Sequence, residues 1–210
     1  MVTVDVWTDI VCPWCYIGVT RFERALAQFG ERVTVRVHPF QLDPDAPIPG
    51  VPAPERYAAK FGDEAPALLE RVTSEAAKEG LVFHMDRALT ANTIDAHRAI
   101  AFASESGKER ELEMALYAAY FSEGLDVSDR EVLADRAASV GMDRDAVRAY
   151  LKGDAGVDRV LAALNEAFER GITAVPAFLF EDEFLVPGAV DTQTFTRILE
   201  QMRGISPAAD

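Results

Sequence analysis

Two cysteines separated by two residues are the part of this chain whose types and spacing most clearly permit chemistry. Cys12 and Cys15 are also the only cysteines among the 210 residues. A pair at this spacing on one helical turn can close a small disulfide and open it again, with a thiolate as the attacking species. Alternating apolar residues at 2–7 predict a strand before the pair, and apolar spacing from Ile17 to Phe29 predicts a helix after it. The pair is therefore predicted to lie where a strand ends and a helix begins.

The start of a helix suits one of these cysteines as a nucleophile. The first N–H groups of a helix have no intrahelical partner and the helix dipole is positive there, so a sulfur at this point is stabilised as an anion. We therefore predict that Cys12 is the nucleophile and that Cys15, one turn further in and more buried, resolves the mixed disulfide. Pro13 suits the first helical position. Trp14 is predicted at the exposed rim, as a platform for an apolar substrate.

Three other uses of the cysteine pair fit the sequence less well. A zinc site needs four ligands, but the chain has no second cysteine pair, and His38, His84 and His97 are not spaced as a zinc motif. A structural disulfide closing so small a loop would constrain the unfolded chain little. The third alternative is a pair of inert thiols. The strand and helix on either side of the pair favour redox chemistry over all three.

Composition and charge narrow the classes of partner. Hydrophobic residues make up 49% of the chain, which is enough for a core, and the formal net charge is −14. Such acidity argues against nucleic acid and against an anionic membrane surface, and it is consistent with simple solubility. No apolar run approaches the roughly 20 residues of a membrane span. The N-terminus lacks the pattern of a signal peptide, so we expect a cytoplasmic protein, in which structural disulfides are rare.

The predicted elements form two groups that a helical segment separates. Residues 2–7 and 33–40 alternate as strands on either side of the first helix, which predicts a right-handed βαβ unit with parallel strands. After residue 154 an amphipathic helix ends at Gly171, two short apolar runs form a hairpin, and Asp191 caps a last helix. Without the helical segment the order is βαβ–αββα, which is the thioredoxin fold.

The predicted fold class is therefore α/β, a thioredoxin fold with a large all-helical insertion. The predicted domains are a thioredoxin-like domain, a connector with five prolines and an inserted helical domain, at residues 1–42 plus 154–205, 43–54 and 55–152. Within the insertion, Ser128 and Glu131 predict a capping box at a helix start. The tail, residues 206–210, is expected to be loose.

A second candidate motif, Val175 and Pro176, lies just before the predicted hairpin. Thioredoxin-like sites need a proline with a cis peptide bond that faces the cysteine pair. Such bonds are uncommon, and this one would turn the backbone of Val175 outward to pair with an extended peptide or glutathione. The alternative is that Pro176 merely begins an edge strand. Its position between a long helix and a hairpin favours the first interpretation.

With these motifs together, the chain resembles the DsbA-family oxidoreductases of the FrnE type. That group is related to 2-hydroxychromene-2-carboxylate isomerase and to the kappa-class glutathione transferases. The resemblance covers nearly the whole chain, and its most specific part is Cys12, Pro13, Trp14 and Cys15. Matching segments occur at residues 9–18, 39–44, 92–98, 120–126, 171–176 and 186–189.

The resemblance implies roles for several residues. It implies a helical domain over the active site, Cys12 and Cys15 as the catalytic pair and Pro176 as the cis proline. The isomerase and kappa-class relatives carry serine where this chain has Cys12, which favours dithiol chemistry here. Family position also places Asn92 and His97 along the cleft between the domains.

Single residues near the motifs leave alternatives open. The spacing of His97 favours a hydrogen-bonded core histidine over a catalytic one. Phe40 could line the substrate groove, although core packing explains it equally well. Asp9 could accept the proton of Cys15 if it is buried, whereas a cap or a solvated loop is the commoner fate of such a residue.

These observations predict a cytoplasmic dithiol–disulfide oxidoreductase acting on a thiol- or disulfide-bearing protein, peptide or small molecule. No bound cofactor, metal, nucleic acid or membrane is expected, and glutathione is a candidate co-substrate. The first alternative is a glutathione-dependent isomerase or transferase for a small aromatic or polyketide-like molecule. The second is a peptide-binding or chaperone-like module with incidental cysteines. The substrate, the direction of the reaction and the oligomeric state stay open.

Overall fold

A computed structural model describes residues 1–205, apart from the side chains at 54, 55, 60, 204 and 205. The elements follow one another as a strand–helix–strand unit, a helical segment, and a helix–hairpin–helix unit. They are β1 (Val2–Thr8), α1 (Pro13–Phe29), β2 (Val33–Pro39), β3 (Val51–Pro52), α2 (Ala53–Phe61), α3 (Ala65–Lys78), β4 (Leu89–Thr90), α4 (Ile94–Ala103), α5 (Glu109–Tyr117), α6 (Arg130–Ser139), α7 (Arg144–Lys152), α8 (Val157–Glu169), β5 (Ala177–Phe180), β6 (Phe184–Pro187) and α9 (Thr192–Ile205).

The main sheet has the strand order β2-β1-β5-β6. β1 pairs in parallel with β2, and β5 and β6 are antiparallel to their neighbours. The predicted α/β arrangement, βαβ and αββα around a helical insertion, is confirmed. The division into domains at particular residues stays a prediction, and the tail at 206–210 lies outside the described residues.

The central position of β1 explains a difference from its sequence pattern. Alternation predicts one buried and one open face, but Asp5 and Trp7 are buried as well as the three valines between residues 2 and 6. The valines pack with residues of α1, β5 and α9, whereas Trp7 packs with Ala167 of α8 and Ile172. Helices therefore cover both faces of β1, and its carboxyl end, where Cys12 follows, is enclosed by protein.

One local feature of the helical segment differs from its prediction, and the connector before that segment contains a short strand. The side chain of Asp129, not Ser128, caps α6 by accepting a hydrogen bond from the Glu131 N–H, so the predicted capping box is wrong. Ser128 instead bonds through its N–H and its hydroxyl to the Asp126 carboxylate. The connector also contains a two-residue strand, β3, which pairs with β4 at an edge where proline is tolerated.

The core between the sheet and α1/α9 contains a group of three aromatic rings. Phe178 of β5 lies 5.1 Å from Phe22 of α1 and 4.6 Å from Phe195 of α9, measured between ring centroids. The side chain of Phe178 is 0% exposed. Because the three elements meet at these rings, the site above them depends on this packing.

We expect Phe178→Ala to lower the free energy of unfolding by about 3–5 kcal/mol, because the substitution leaves a cavity in the core. Urea denaturation followed by tryptophan fluorescence measures this loss. The matched control is Phe168→Ala on α8, whose side chain is 78% exposed, and it should change stability by no more than about 0.5 kcal/mol. Equal losses in the two variants would contradict this account of the core.

Candidate active site

The turn between β1 and α1 places both cysteines at the carboxyl end of the central strand. The Cys12 N–H donates to the Asp9 carbonyl oxygen at 3.0 Å. Cys12 is the N-cap of α1 and has an extended backbone, and Pro13 begins the helix. The Cys12 carbonyl accepts the N–H groups of Cys15 and Tyr16 at 3.0 and 3.3 Å. The helix thus begins at the predicted residue, with the two sulfurs one turn apart.

The two thiols differ in access. Both cysteines are free, and Cys15 is 0% exposed while Cys12 is 4% exposed. Burial raises the pKa of the Cys15 thiol well above its ordinary value, and the neighbouring Cys12 sulfur raises it further. Cys15 is therefore held as a neutral thiol, so it must lose a proton before or as it attacks another sulfur.

The segment that carries Pro176 lies directly beside the start of α1. The Cys12 thiol is 3.7 Å from the Val175 carbonyl oxygen, towards which it donates, and the Val175–Pro176 peptide bond is cis. Gly18 of α1 makes this approach possible, because a Cβ at that position would lie 2.9 Å from Pro176 Cγ and 3.2 Å from Ala189 Cβ. Gly18 lies in one of the segments that resemble the family, residues 9–18, but its position in the sequence does not reveal the contact with Pro176.

Asp9 is fully buried behind the cysteine pair. Its Oδ2 accepts the Leu42 N–H at 2.8 Å. Its Oδ1 has no hydrogen-bond partner among the described residues. His97 Nε2 lies 3.4 Å from this oxygen, but that nitrogen forms its hydrogen bond with the Phe40 carbonyl, at 2.9 Å. The expected cap or solvated loop is therefore wrong for Asp9, and an under-bonded carboxylate oxygen remains close to the site.

A second buried carboxyl, which the sequence did not reveal, comes from the helical segment. Glu113 of α5 accepts hydrogen bonds from the Thr8 hydroxyl, at the end of β1, and from the Tyr117 hydroxyl at 3.2 Å. Burial raises the pKa of Glu113 from 4.5 to about 7, although both hydrogen bonds oppose the shift. The available signal was an acidic residue between Leu112 and Leu116, on the apolar side of a helix.

A cavity of about 540 Å³ lies on the open side of Cys12. Pro13, Trp14 and Val175, three of the residues predicted to bind substrate, line it with Cys12, and their contact with a substrate stays a prediction. The Arg71 guanidinium lies over the Trp14 ring, 5.8 Å from its centroid. Apolar side chains of the helical segment, chiefly from α2 and α3, form the opposite wall.

Other predicted substrate-binding residues lie outside the described lining of this cavity. Asn92 donates to the Pro44 carbonyl at 2.8 Å and accepts the Ile94 N–H at 2.9 Å, so it fixes the connector to the start of α4. His97 and Phe40 are joined by their own hydrogen bond behind the site. Pro176 packs on Gly18 rather than into the cavity.

Two kinds of feature are absent from the described part of the chain. Residues 1–205 contain no group of three or more His, Cys, Asp or Glu side chains arranged to hold a metal ion. None of the helices in the same range combines the length and the apolar character that crossing a bilayer requires.

A CxxC pair at the start of the first helix of a βαβ–αββα fold defines the thioredoxin-like class of disulfide oxidoreductases. The profile of the DSBA-like thioredoxin domain matches residues 3–200, and the chain belongs to that family. The resemblance inferred from the motifs is thereby confirmed. The family and the similar structures support the predicted enzyme class, a DsbA-like disulfide oxidoreductase.

Three similar proteins illustrate the range of the family. A probable DsbA oxidoreductase from Streptomyces coelicolor is 35% identical with a TM-score of 0.91, covering 100% of this chain and 93% of its own. The uncharacterized protein YwbO of Bacillus subtilis is 28% identical over 94% of this chain and 96% of its own. The cytosolic disulfide reductase DsbM of Pseudomonas aeruginosa is 18% identical with a TM-score of 0.71, covering 97% and 100%, and its structure with GSH also matches.

We expect Glu113→Gln to remove a pH-dependent part of the stability. A carboxyl whose pKa is higher in the folded state favours folding at low pH, and this contribution is lost as the pH rises through about 7. Glutamine keeps the size and the acceptor oxygen but cannot ionise. The compared quantity is the free energy of unfolding of Glu113→Gln minus that of the wild type. This difference should be about 3 kcal/mol larger at pH 8 than at pH 4.5, because only the wild type loses stability over that range.

Urea denaturation across this pH range measures the difference. Glu111→Gln on the same helix is the control, because a hydrogen bond from its own backbone N–H lowers the pKa of Glu111, which is exposed. The effect of that variant should have the opposite sign and be small. If the difference in unfolding free energy between Glu113→Gln and the wild type does not vary with pH, the raised pKa of Glu113 is contradicted.

Proposed function

We propose that the protein is a cytoplasmic dithiol–disulfide oxidoreductase whose redox couple is Cys12 and Cys15. The observation that carries the proposal is the placement of the Cys12 sulfur at a helix N-terminus, with the cavity on one side and the buried Cys15 on the other. The family match supports the reaction class. The cytoplasmic location is proposed from the name of the cytosolic Pseudomonas reductase, whose likeness to this chain concerns the fold.

The two thiols act in sequence. The Cys12 thiolate attacks one sulfur of a substrate disulfide, forms a mixed disulfide and releases the first substrate thiolate. Cys15 then loses its proton and attacks the Cys12 sulfur, which releases the second substrate thiolate and leaves a Cys12–Cys15 disulfide. In the reverse direction two substrate thiolates pass two electrons to the protein. The first attacks Cys12 and releases Cys15, which takes up a proton, and the second attacks the mixed disulfide and releases the Cys12 thiolate. The direction depends on the potential of the couple relative to its compartment.

Asp9 is the candidate acceptor of the Cys15 proton. It is buried, its carboxylate raises the pKa of Cys15, and one of its oxygens lacks a hydrogen-bond partner among the described residues. The exposed backbone beside Val175 is proposed to position the partner, and glutathione is proposed as a thiol that returns the couple to its reduced state.

A second function is favoured by the cavity beside Cys12. A glutathione-dependent isomerase or transferase would use the same cavity for a small aromatic molecule, with Cys12 close to the glutathione sulfur. Such a reaction involves no Cys12–Cys15 disulfide. It would therefore survive the loss of Cys15, whereas turnover of a dithiol oxidoreductase would not.

We expect Cys12→Ser to lower the rate of disulfide exchange by at least about a thousandfold, because the nucleophile is removed. Cys15→Ser should instead keep the first step and accumulate a mixed disulfide on Cys12. Titration in glutathione redox buffers, thiol trapping by alkylation and mass spectrometry measure these species. In the wild type the same titration should show a reversible Cys12–Cys15 disulfide.

The result that sinks the proposal is disulfide exchange retained by Cys12→Ser. A stable glutathione adduct on Cys12 of the wild type, with Cys15 left free and saturable glutathione binding in Cys15→Ser, would favour the glutathione-dependent enzyme. Clients protected equally well by the wild type and by the double serine variant would favour the chaperone-like module.

A further inference from the structure

Access to the Cys12 sulfur is through the cavity. Cys12 is only 4% exposed, yet it lines the cavity together with Trp14 and Val175. A volume of about 540 Å³ lies within the range of roughly 300–1,000 Å³ that is typical of small-molecule sites. A small disulfide fits within this volume, whereas a cystine on the surface of a folded protein would have to place its backbone and neighbouring side chains there as well. The geometry therefore favours a small disulfide over a protein disulfide.

The walls of the cavity are mainly apolar. The side chains opposite the cysteine pair come from the connector, α2, α3 and the segment before α4. They include Leu42, Phe61, Leu68, Leu69, Val72 and Met85. Leu42, Phe61 and Leu68 are also partly exposed to solvent, so the cavity is open on their side. Apolar side chains at an open mouth favour a ligand that is itself apolar.

Two arginines supply positive charge at this cavity, and they differ in their partners. Arg56 forms an ion pair with Asp43, and both residues line the cavity. Arg71 lies over the Trp14 ring, and no carboxylate among the described residues is within ion-pair distance of it. In a chain with a net charge of −14, a cation that has no acidic partner among the described residues and lies in the cavity that Cys12 lines favours an anionic ligand group.

Resting on the proposed oxidoreductase function, we propose that the substrate is a small disulfide with an apolar body and an anionic group, which the cavity receives with the anion near Arg71. The apolar body lies against α2 and α3, and one sulfur meets Cys12. Oxidised glutathione is a poor fit, because it carries several carboxylates and ammonium groups and little apolar surface.

The proposed reaction balances without a further reagent. The reduced protein brings the Cys12 thiolate and the Cys15 thiol, and the substrate brings one S–S bond. Cys12 takes one substrate sulfur and releases the other as a thiolate. Cys15 then closes the protein disulfide and releases the second thiolate. The protein loses two electrons, the substrate gains them, and the Cys15 proton passes to Asp9 or to solvent.

The experiment compares four disulfides as oxidants of the fully reduced wild-type protein. They are dithiobis(nitrobenzoate), which is aromatic and anionic, dithiodipyridine, which is aromatic and uncharged, hydroxyethyl disulfide, and oxidised glutathione. Each second-order rate constant is divided by the rate constant of the same disulfide with N-acetylcysteine, which removes differences in intrinsic reactivity. We expect both aromatic probes to exceed hydroxyethyl disulfide and oxidised glutathione by at least about tenfold. The anionic aromatic probe should be the faster of the two.

Two pairs of variants separate the apolar contribution from the charge. Arg71→Met should lower the ratio of the anionic to the uncharged aromatic probe by about threefold to fivefold, as expected for an exposed charge pair. Arg32→Met, in the turn after α1, is the control. Leu68→Asp should lower the ratio of dithiodipyridine to hydroxyethyl disulfide, whereas Leu161→Asp on α8 should not. The two leucines are similarly exposed, at 40% and 45%.

The outcomes distinguish this inference from the function on which it rests. Equal normalised rates for all four disulfides, or faster reaction with oxidised glutathione, would overturn the substrate class and leave the oxidoreductase standing. The substrate class would also be overturned if the two rate ratios changed no more in Arg71→Met and Leu68→Asp than in the controls Arg32→Met and Leu161→Asp. If no disulfide oxidises the protein to a Cys12–Cys15 bond, the function itself fails.

Discussion

The contact between α1 and the segment that carries Pro176 is the constraint on which the candidate site depends. Gly18 has no side chain, so the proline ring approaches the helix at a distance that a Cβ would not allow. This approach brings the Val175 carbonyl to 3.7 Å from the Cys12 sulfur. A larger residue at position 18 would separate the nucleophile from the backbone proposed to hold its partner, because a packed interior yields little. The site is therefore assembled by a contact between residues far apart in sequence.

The central position of β1 makes burial of polar groups at the site unavoidable. β1 is central and covered on both faces, so whatever follows it at the cysteine pair is removed from water. Asp9 and Glu113 are therefore buried carboxyls, and each is only partly compensated by hydrogen bonds. Glu113 also joins α5 to the end of β1 through Thr8. The helical segment is thus attached to the strand directly below the cysteine pair, where it affects both the electrostatics and the packing.

The sequence revealed those features that depend on neighbours along the chain. The CxxC pair, the end of α1 at Phe29, the strands and the hairpin each have a local pattern, because side-chain period and turn chemistry are local properties. Features that depend on distant contacts were missed or misjudged. The burial of Asp9, the partners of Glu113 and the position of Asn92 outside the described cavity lining depend on such contacts. For His97 the spacing favoured a hydrogen-bonded core histidine, and the structure contains one. The capping residue of α6 was predicted wrongly for another reason. Ser128 and Asp129 are adjacent, and both residue types are good helix caps, so the sequence does not decide between them.

The helical segment contributes to the site in two places that are physically separate. α5 lies below the cysteine pair and sets the environment of a buried carboxyl, so changes there affect protonation and stability. α2 and α3 lie across the cavity from Cys12 and form its wall, so changes to the side chains that line the cavity affect which disulfide reaches the sulfur. The reacting groups themselves come from the thioredoxin-like part of the fold. Because the wall and the reacting groups are on different elements, selectivity can change through α3 while the chemistry of Cys12 and Cys15 stays the same.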